Sequence, residues 1–126
     1  MNTKQVIAVD LGAESGRVMR ASYSGDSLTL EEAHRFPNIP VTANGVLYWD
    51  VLRIWHEIQT GIKAAGHAAS IGVDTWGVDF AFLDRHGHLL ANPIHYRDSS
   101  SDFMMECVFE RVPLRELFQP TGIQFI

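Results

Sequence analysis

Residues Val6 to Val18, VIAVDLGAESGRV, put a carboxylate, a hydroxyl and a guanidinium on one turn between two apolar runs. That set could hold a phosphate. Gly12 and Gly16 let backbone N–H groups come close to an anion, and Ser15 adds a hydroxyl donor. Arg17 adds a charge-assisted contact that can be bidentate. Asp10, at the end of the first run, would repel a bare polyphosphate, so its place is beside the water shell of a Mg²⁺ ion. A structural reading competes: a hairpin needs glycine, and aspartate caps turns through its own backbone. A Walker or dinucleotide loop does not fit, because the stretch lacks G-K-[ST] and G-x-G-x-x-G and leads into a strand.

A second constellation is SIGVDTWGVDFAFLDRHGHLL. Asp74 ends an apolar run, Trp76-Gly77 forms a turn, and Asp79 follows. An indole offers a flat apolar face to the C–H surface of a sugar, Gly77 admits the backbone, and carboxylates accept hydroxyl hydrogen bonds. The structural alternative is a turn cap at Asp74 and a core aromatic at Trp76.

Other reactive types carry less. The six histidines include His86 and His88 around Gly87, read as a surface turn because a structural zinc site takes four ligands and none other has that spacing. His95 precedes the polar Arg97-Asp98 pair and could face a pocket. Cys107 is the single cysteine, so no intrachain disulfide forms, and it is read as a small half-buried hydrophobe. Phe103, Met104, Met105, Val108 and Phe109 share a helical face and are read as core packing.

Elements must position these groups. Val6 to Val9 predicts a strand buried on both faces, Arg17 to Tyr23 a second strand, and Leu28 to Phe36 a third nearer an edge, joined as an antiparallel meander. Residues 37–45 read as a loop. Asp50 is an N-cap, and Val51, Ile54, Trp55, Ile58 and Ile62 recur at helical spacing up to a stop at Gly66. Ser70 to Asp74 predicts a buried parallel strand, and Val78 to Leu83 a further strand with a hairpin turn at Asp84–His88. Pro93 to Asp98 reads as extended, Ser99 to Glu110 as a helix capped by Ser100 or Ser101, and Pro113 to Phe118 as a helix broken by Gln119–Gly122. The fold class is α/β, with a mixed β-β-β-α-β sheet and flanking helices.

Composition bounds the rest. The chain has 126 residues, 46 % of them hydrophobic, which is enough for a packed core. A net charge of −5 argues against nucleic acid as the main partner. No run approaches the roughly 20 apolar residues of a membrane span. The single cysteine and the absence of a secretory pattern predict a cytoplasmic protein. The apolar end, TGIQFI, reads as a break inside a domain. Residues 1–126 are thus expected to be one incomplete N-terminal lobe whose exposed apolar surface drives self-association.

D-L-G-x-x-S-x-R, followed by β-β-β-α-β, resembles the first phosphate motif and the ribonuclease H-like fold of the actin, hexokinase and Hsp70 ATPases. AVDLGAESGRV, IGVDTWGVDF, YRDSS and TGIQF together resemble the FGGY carbohydrate kinases, and DTWGVDF their rhamnulokinase branch. The resemblance covers Val6 to Ile126 and about a quarter of a typical member. It implies transfer of the ATP γ-phosphoryl to the 1-hydroxyl of L-rhamnulose with Mg²⁺, in L-rhamnose catabolism. It implies that Ala13, Glu14, Ser15, Gly16 and Arg17 form the ATP-phosphate loop, with Asp10 organising the Mg²⁺ shell through water. It implies that Gly77, Trp76 and Asp79 line the sugar site, which the segment with Arg97 and Asp98 also reaches. The general base of that family is an aspartate in a His-Asp-Thr segment, which this sequence lacks, so these residues alone are expected not to turn over. Another FGGY kinase, for fuculose, xylulose or glycerol, and a non-catalytic ATPase-fold sensor or scaffold remain alternatives.

Overall fold

The computed structural model describes residues 3–123. A four-stranded sheet has the order β3-β2-β1-β6, formed by β1 (Lys4–Leu11), β2 (Ser15–Tyr23), β3 (Leu28–Pro37) and β6 (Ile71–Thr75). β1 pairs antiparallel with β2 and parallel with β6, and β2 pairs antiparallel with β3 across a register shift at Val18/Met19. The sheet is therefore mixed, as the β-β-β-α-β order predicts. A parallel neighbour needs a long crossover, and helix α1 (Val51–Ala65) supplies it.

The meander forms because short polar turns separate strands with apolar alternation. Ile7 and Val9 of β1 are buried, and so is Val18 opposite Val9. Asp50 caps α1 by accepting from the Arg53 N–H at 3.1 Å, and Gly66 ends it with φ +79°. The helix buries Ile54, Ile58, Gly61 and Ala65. A Cβ on Gly61 would sit 2.3 Å from Val18 Cγ2, so glycine sets how closely helix and sheet approach. Glu57 fastens the same contact by bonding His34 of β3 at 2.7 Å, while Arg53 bonds its other oxygen at 2.6 Å. These two partners hold the Glu57 carboxyl below the usual carboxylate range, His34 contributing most.

Several expectations change. Val6 and Ala8 stay partly accessible, so β1 is fully buried on only one face. β6 is exposed along its whole length, because α1 lies over β2 and β3 and no described element covers β6. Trp55 points to solvent at 56 %, one step off the stripe that faces the sheet. The segment read as a loop, 37–45, instead enters a hairpin of β4 (Val41–Ala43) and β5 (Val46–Tyr48). Asn44 and Gly45 turn it with φ of 51° and 80°, the conformation an Asn-Gly pair favours.

Residues 78–83 are not a strand. Only Leu83 bridges to Leu89 across the expected Asp84–His88 turn, because no neighbouring strand offers a ladder. Ser99–Ser101 is a 3₁₀ turn capped by Asp98, and the helix proper, α2 (Met104–Arg111), starts later than expected. Neither Ser100 nor Ser101 caps it: Phe103 stands at its N-cap with φ 65°. α3 (Leu114–Thr121) runs through Pro120 and ends at Gly122. Phe103, Met104, Met105 and Val108 are exposed rather than core, and so is Cys107, because α2 has no described partner element. The expectation for the apolar end falls partly outside the described residues. No helix among the described residues is long and apolar enough to cross a membrane.

Candidate functional site

The Asp10–Arg17 turn sits at the carboxyl end of β1. Gly12 N–H donates to Ser15 O at 2.9 Å and closes it. Gly16 is buried, and a Cβ there would lie 2.2 Å from the Phe36 ring, so this glycine is required by packing as much as by any ligand. Asp10 and Arg17 are register partners on β1 and β2 and form an ion pair, with contacts of 2.6 and 2.7 Å and both side chains roughly half exposed. In water such a pair is worth little, so either group can change partner at small cost. Glu14 is exposed and Ser15 half-buried beside them.

Register extends this arrangement across the sheet. Asp74, Asp10, Arg17 and Arg35 are successive neighbours on β6, β1, β2 and β3 and therefore share one face. Two carboxylates stand side by side next to two guanidiniums. Glu32 closes the row by bonding Arg35, and that bond lowers the Glu32 carboxyl pKa. Among the described residues no group of three potential metal ligands converges.

The Trp76 turn leaves from the carboxyl end of β6, adjacent to β1. Trp76 N–H donates to Leu11 O at 3.1 Å and ties the two turns together. Asp79 Oδ2 accepts from two indoles, Trp76 Nε1 at 2.5 Å and Trp49 Nε1 at 2.8 Å. Val78 reaches that geometry with φ 70°, a strained value for a β-branched residue. Gly77 is exposed with open space around it. Buried Trp49 packs against Trp76 with its ring tilted by 41° at 4.6 Å and stacks on His95 at 4.0 Å, and His95 stacks on Tyr96 at 4.6 Å. Arg97 lies over the Tyr96 ring at 5.2 Å.

Asp98 is buried, and its carboxylate accepts from Leu47 N–H at 2.6 Å and Ser100 N–H at 2.9 Å. Those bonds, led by Leu47, hold its pKa below the usual range. Asp98 therefore braces the segment that carries Arg97. A shallow cavity of about 450 Å³ opens beside it, lined by Asp79, His95, Tyr96 and Ser100 among others.

The structure brings together Asp10, Ser15 and Arg17 at one turn, and Trp76 with Asp79 at the other. Two residues at these turns were not singled out from the sequence: Trp49 joins both indole contacts to the core, and Asn38 bonds the first turn. Both act through contacts distant in sequence. Asp74, singled out with the Trp76 turn, stands beside Asp10 of the first turn.

No protein-family model matches the chain. It is 45 % identical over 123 residues to the rhamnulokinase of Oceanobacillus iheyensis, covering 94 % of this chain and 26 % of that protein. It is 44 % identical over 121 residues to the rhamnulokinase of Bacteroides thetaiotaomicron, covering 93 % and 25 %. Among solved structures it superposes on the xylulose kinase of Rhodospirillum rubrum with a TM-score of 0.68 at 18 % identity, covering 91 % of this chain and 25 % of that one. It superposes on the gluconate kinase of Lactobacillus acidophilus with a TM-score of 0.66 at 19 % identity, covering 97 % and 25 %. The chain spans about a quarter of the length of the curated relatives it matches. Over its own length it is a sequence relative of the rhamnulokinases, and it has the ribonuclease H-like fold of the sugar kinases.

Proposed function

We propose that this chain supplies part of the phosphate site and part of the sugar site of an ATP-dependent kinase acting on L-rhamnulose. One observation carries the reading. Two turns leave the carboxyl ends of neighbouring parallel strands, in register at Asp10–Asp74 and Leu11–Thr75, and the Trp76–Leu11 hydrogen bond joins them. Ligands of open α/β sheets bind outside the carboxyl ends of strands. Two substrates held on these turns would meet. The rhamnulokinase relatives support the choice of sugar.

In this reading residues Ala13 to Arg17 receive the ATP phosphates. Arg17 leaves Asp10 for a phosphate oxygen, and Asp10, with Asp74 beside it, would hold Mg²⁺ through water. Mg²⁺, when bound, neutralises charge on the phosphate oxygens. Gly77 lets the sugar approach the backbone, Trp76 presents its face, and Asp79 keeps one oxygen for a sugar hydroxyl while the other holds the indoles. Arg97, on the segment that Asp98 braces, reaches the same sugar. The sugar 1-hydroxyl oxygen bonds to the γ-phosphorus as the bond to the ADP oxygen breaks. Its proton goes to a general base outside these residues, so residues 1–126 alone do not turn over.

The test is a coupled kinase assay on the protein expressed from its whole reading frame, with ATP and Mg²⁺, on L-rhamnulose, L-fuculose and D-xylulose. Preference for L-rhamnulose is expected. Activity on another sugar alone would overturn the substrate, and no activity on any sugar would favour a non-catalytic module.

A further inference from the structure

We infer that Asn38 is the positioning residue of the phosphate turn, an inference that rests on the reading above. Asn38 follows the last residue of β3 and is 5 % exposed. Its backbone N–H donates to Glu14 O at 2.9 Å, and its Nδ2 donates to Gly12 O at 3.1 Å. One residue thus holds two carbonyls of a four-residue stretch that the Gly12–Ser15 bond closes from within. No peptide in the described chain is cis. In a trans peptide C=O and N–H point in opposite directions. Anchoring Gly12 O and Glu14 O on Asn38 therefore turns the Ala13 and Ser15 N–H groups away from it. Those are amides the turn would offer to an anion. Asn38 touches no substrate in this arrangement. It fixes the direction of donors that do, so that less ordering remains to be done when the anion binds.

The side chain must donate to Gly12 O, and that makes the role separable from simple packing. Asn38→Ala removes the donor. Asn38→Asp keeps the shape, donates to Gly12 O only when protonated, and repels it when ionised. Glu14 and the Asp10–Arg17 pair also lie on the turn, and they are the same in the parent protein. The difference between variant and parent therefore isolates position 38.

The experiment is calorimetric binding of MgATP at pH 5.5 and pH 8 to the full-length parent, Asn38→Ala and Asn38→Asp. Amide exchange at Ala13, Ser15, Val9 and Val18 is measured in parallel without nucleotide. Loss of one buried hydrogen bond corresponds to about a ten-fold change. Asn38→Ala should bind MgATP about ten-fold more weakly at both pH values, and Asn38→Asp should lose affinity only as the pH rises. Exchange should quicken at Ala13 and Ser15 while Val9 and Val18 stay protected. Equal MgATP affinity in all three proteins would overturn the inference while leaving the kinase reading intact. A parent that binds no MgATP would overturn the kinase reading, and unchanged exchange at Ala13 and Ser15 in Asn38→Ala would then overturn the positioning role as well. If Asn38→Ala loses protection at Val9 and Val18, the Asn38→Asp pair of pH values decides alone.

Discussion

In the half built from β1, β2, β3 and α1, Val9, Val18, Phe36, Ile54 and Ile58 close into one apolar cluster. In residues 76–123, Phe80, Phe82, Leu90, Phe103 and Met104 are mostly exposed, and order comes from polar bonds at Asp79, Asp84 and Asp98. The Asp10–Arg17 turn belongs to the first half and the Trp76 turn begins the second. Burial of apolar surface holds the first half together, at roughly 25 cal/mol per Å², and hydrogen bonds from Gly12 and Asn38 set its turn. The Trp76 turn depends on a few carboxylates that accept N–H groups and on one tryptophan reaching back into the core. The Asp10–Arg17 turn is therefore expected to be rigid without any partner, and the Trp76 turn to be adjustable.

Trp49 is the residue that belongs to both halves, so its loss should have the largest effect. Trp49→Ala is expected to lower the stability of the chain by about 3–5 kcal/mol in urea unfolding. A loss below about 1 kcal/mol would mean that the halves are independent. Next, Gly61→Ala drives a methyl into Val18 and should cost about 1–3 kcal/mol. Adding Val18→Ala should recover part of that loss, a non-additivity expected only of touching residues.

Asp98→Ala tests the polar half alone. Amide exchange should quicken at Leu47 and Ser100 while Val9 and Val18 keep their protection. Equal loss at Val9 would show that the polar half carries the apolar one. A pH effect follows from the depressed carboxyls of Glu57 and Asp98. Their contribution is complete above the unfolded carboxylate range near pH 4–4.5 and is lost as pH falls through their lower folded values. The urea midpoint should fall with decreasing pH below about 4.5, and Glu57→Gln should flatten that slope. The smallest effect on stability is expected at Phe80→Ser, within about 0.5 kcal/mol, because the ring is 72 % exposed. The same change should reduce self-association, read by light scattering as concentration rises. A parent that stays monomeric at high concentration would remove that expectation.

The meander, α1 with its Asp50 cap and the parallel β6 were legible because each is a local pattern: alternation, helical spacing or a cap. That Asp10, Ser15 and Arg17 share one turn was legible from their spacing. The failures share a physical cause. Val78 to Leu83 alternates like a strand, yet a strand exists only where a neighbour supplies its ladder. Phe103, Met104, Met105 and Val108 read as core, yet they are exposed, because a side chain is core only when something packs on it.

What the sequence by itself determined is the meander, α1 and β6 among the first 75 residues, without the β4–β5 hairpin, and the chemical types gathered at two turns. Local backbone preference and side-chain periodicity act over a few residues, and those are written directly in the chain. Only the tertiary structure decided that Asp10 pairs with Arg17 and stands beside Asp74. It likewise decided that Asp79 binds both indoles and that Asn38 grips Gly12 and Glu14. Those contacts join residues on different strands and loops, so their geometry follows from sheet register and packing, which no short stretch of sequence specifies.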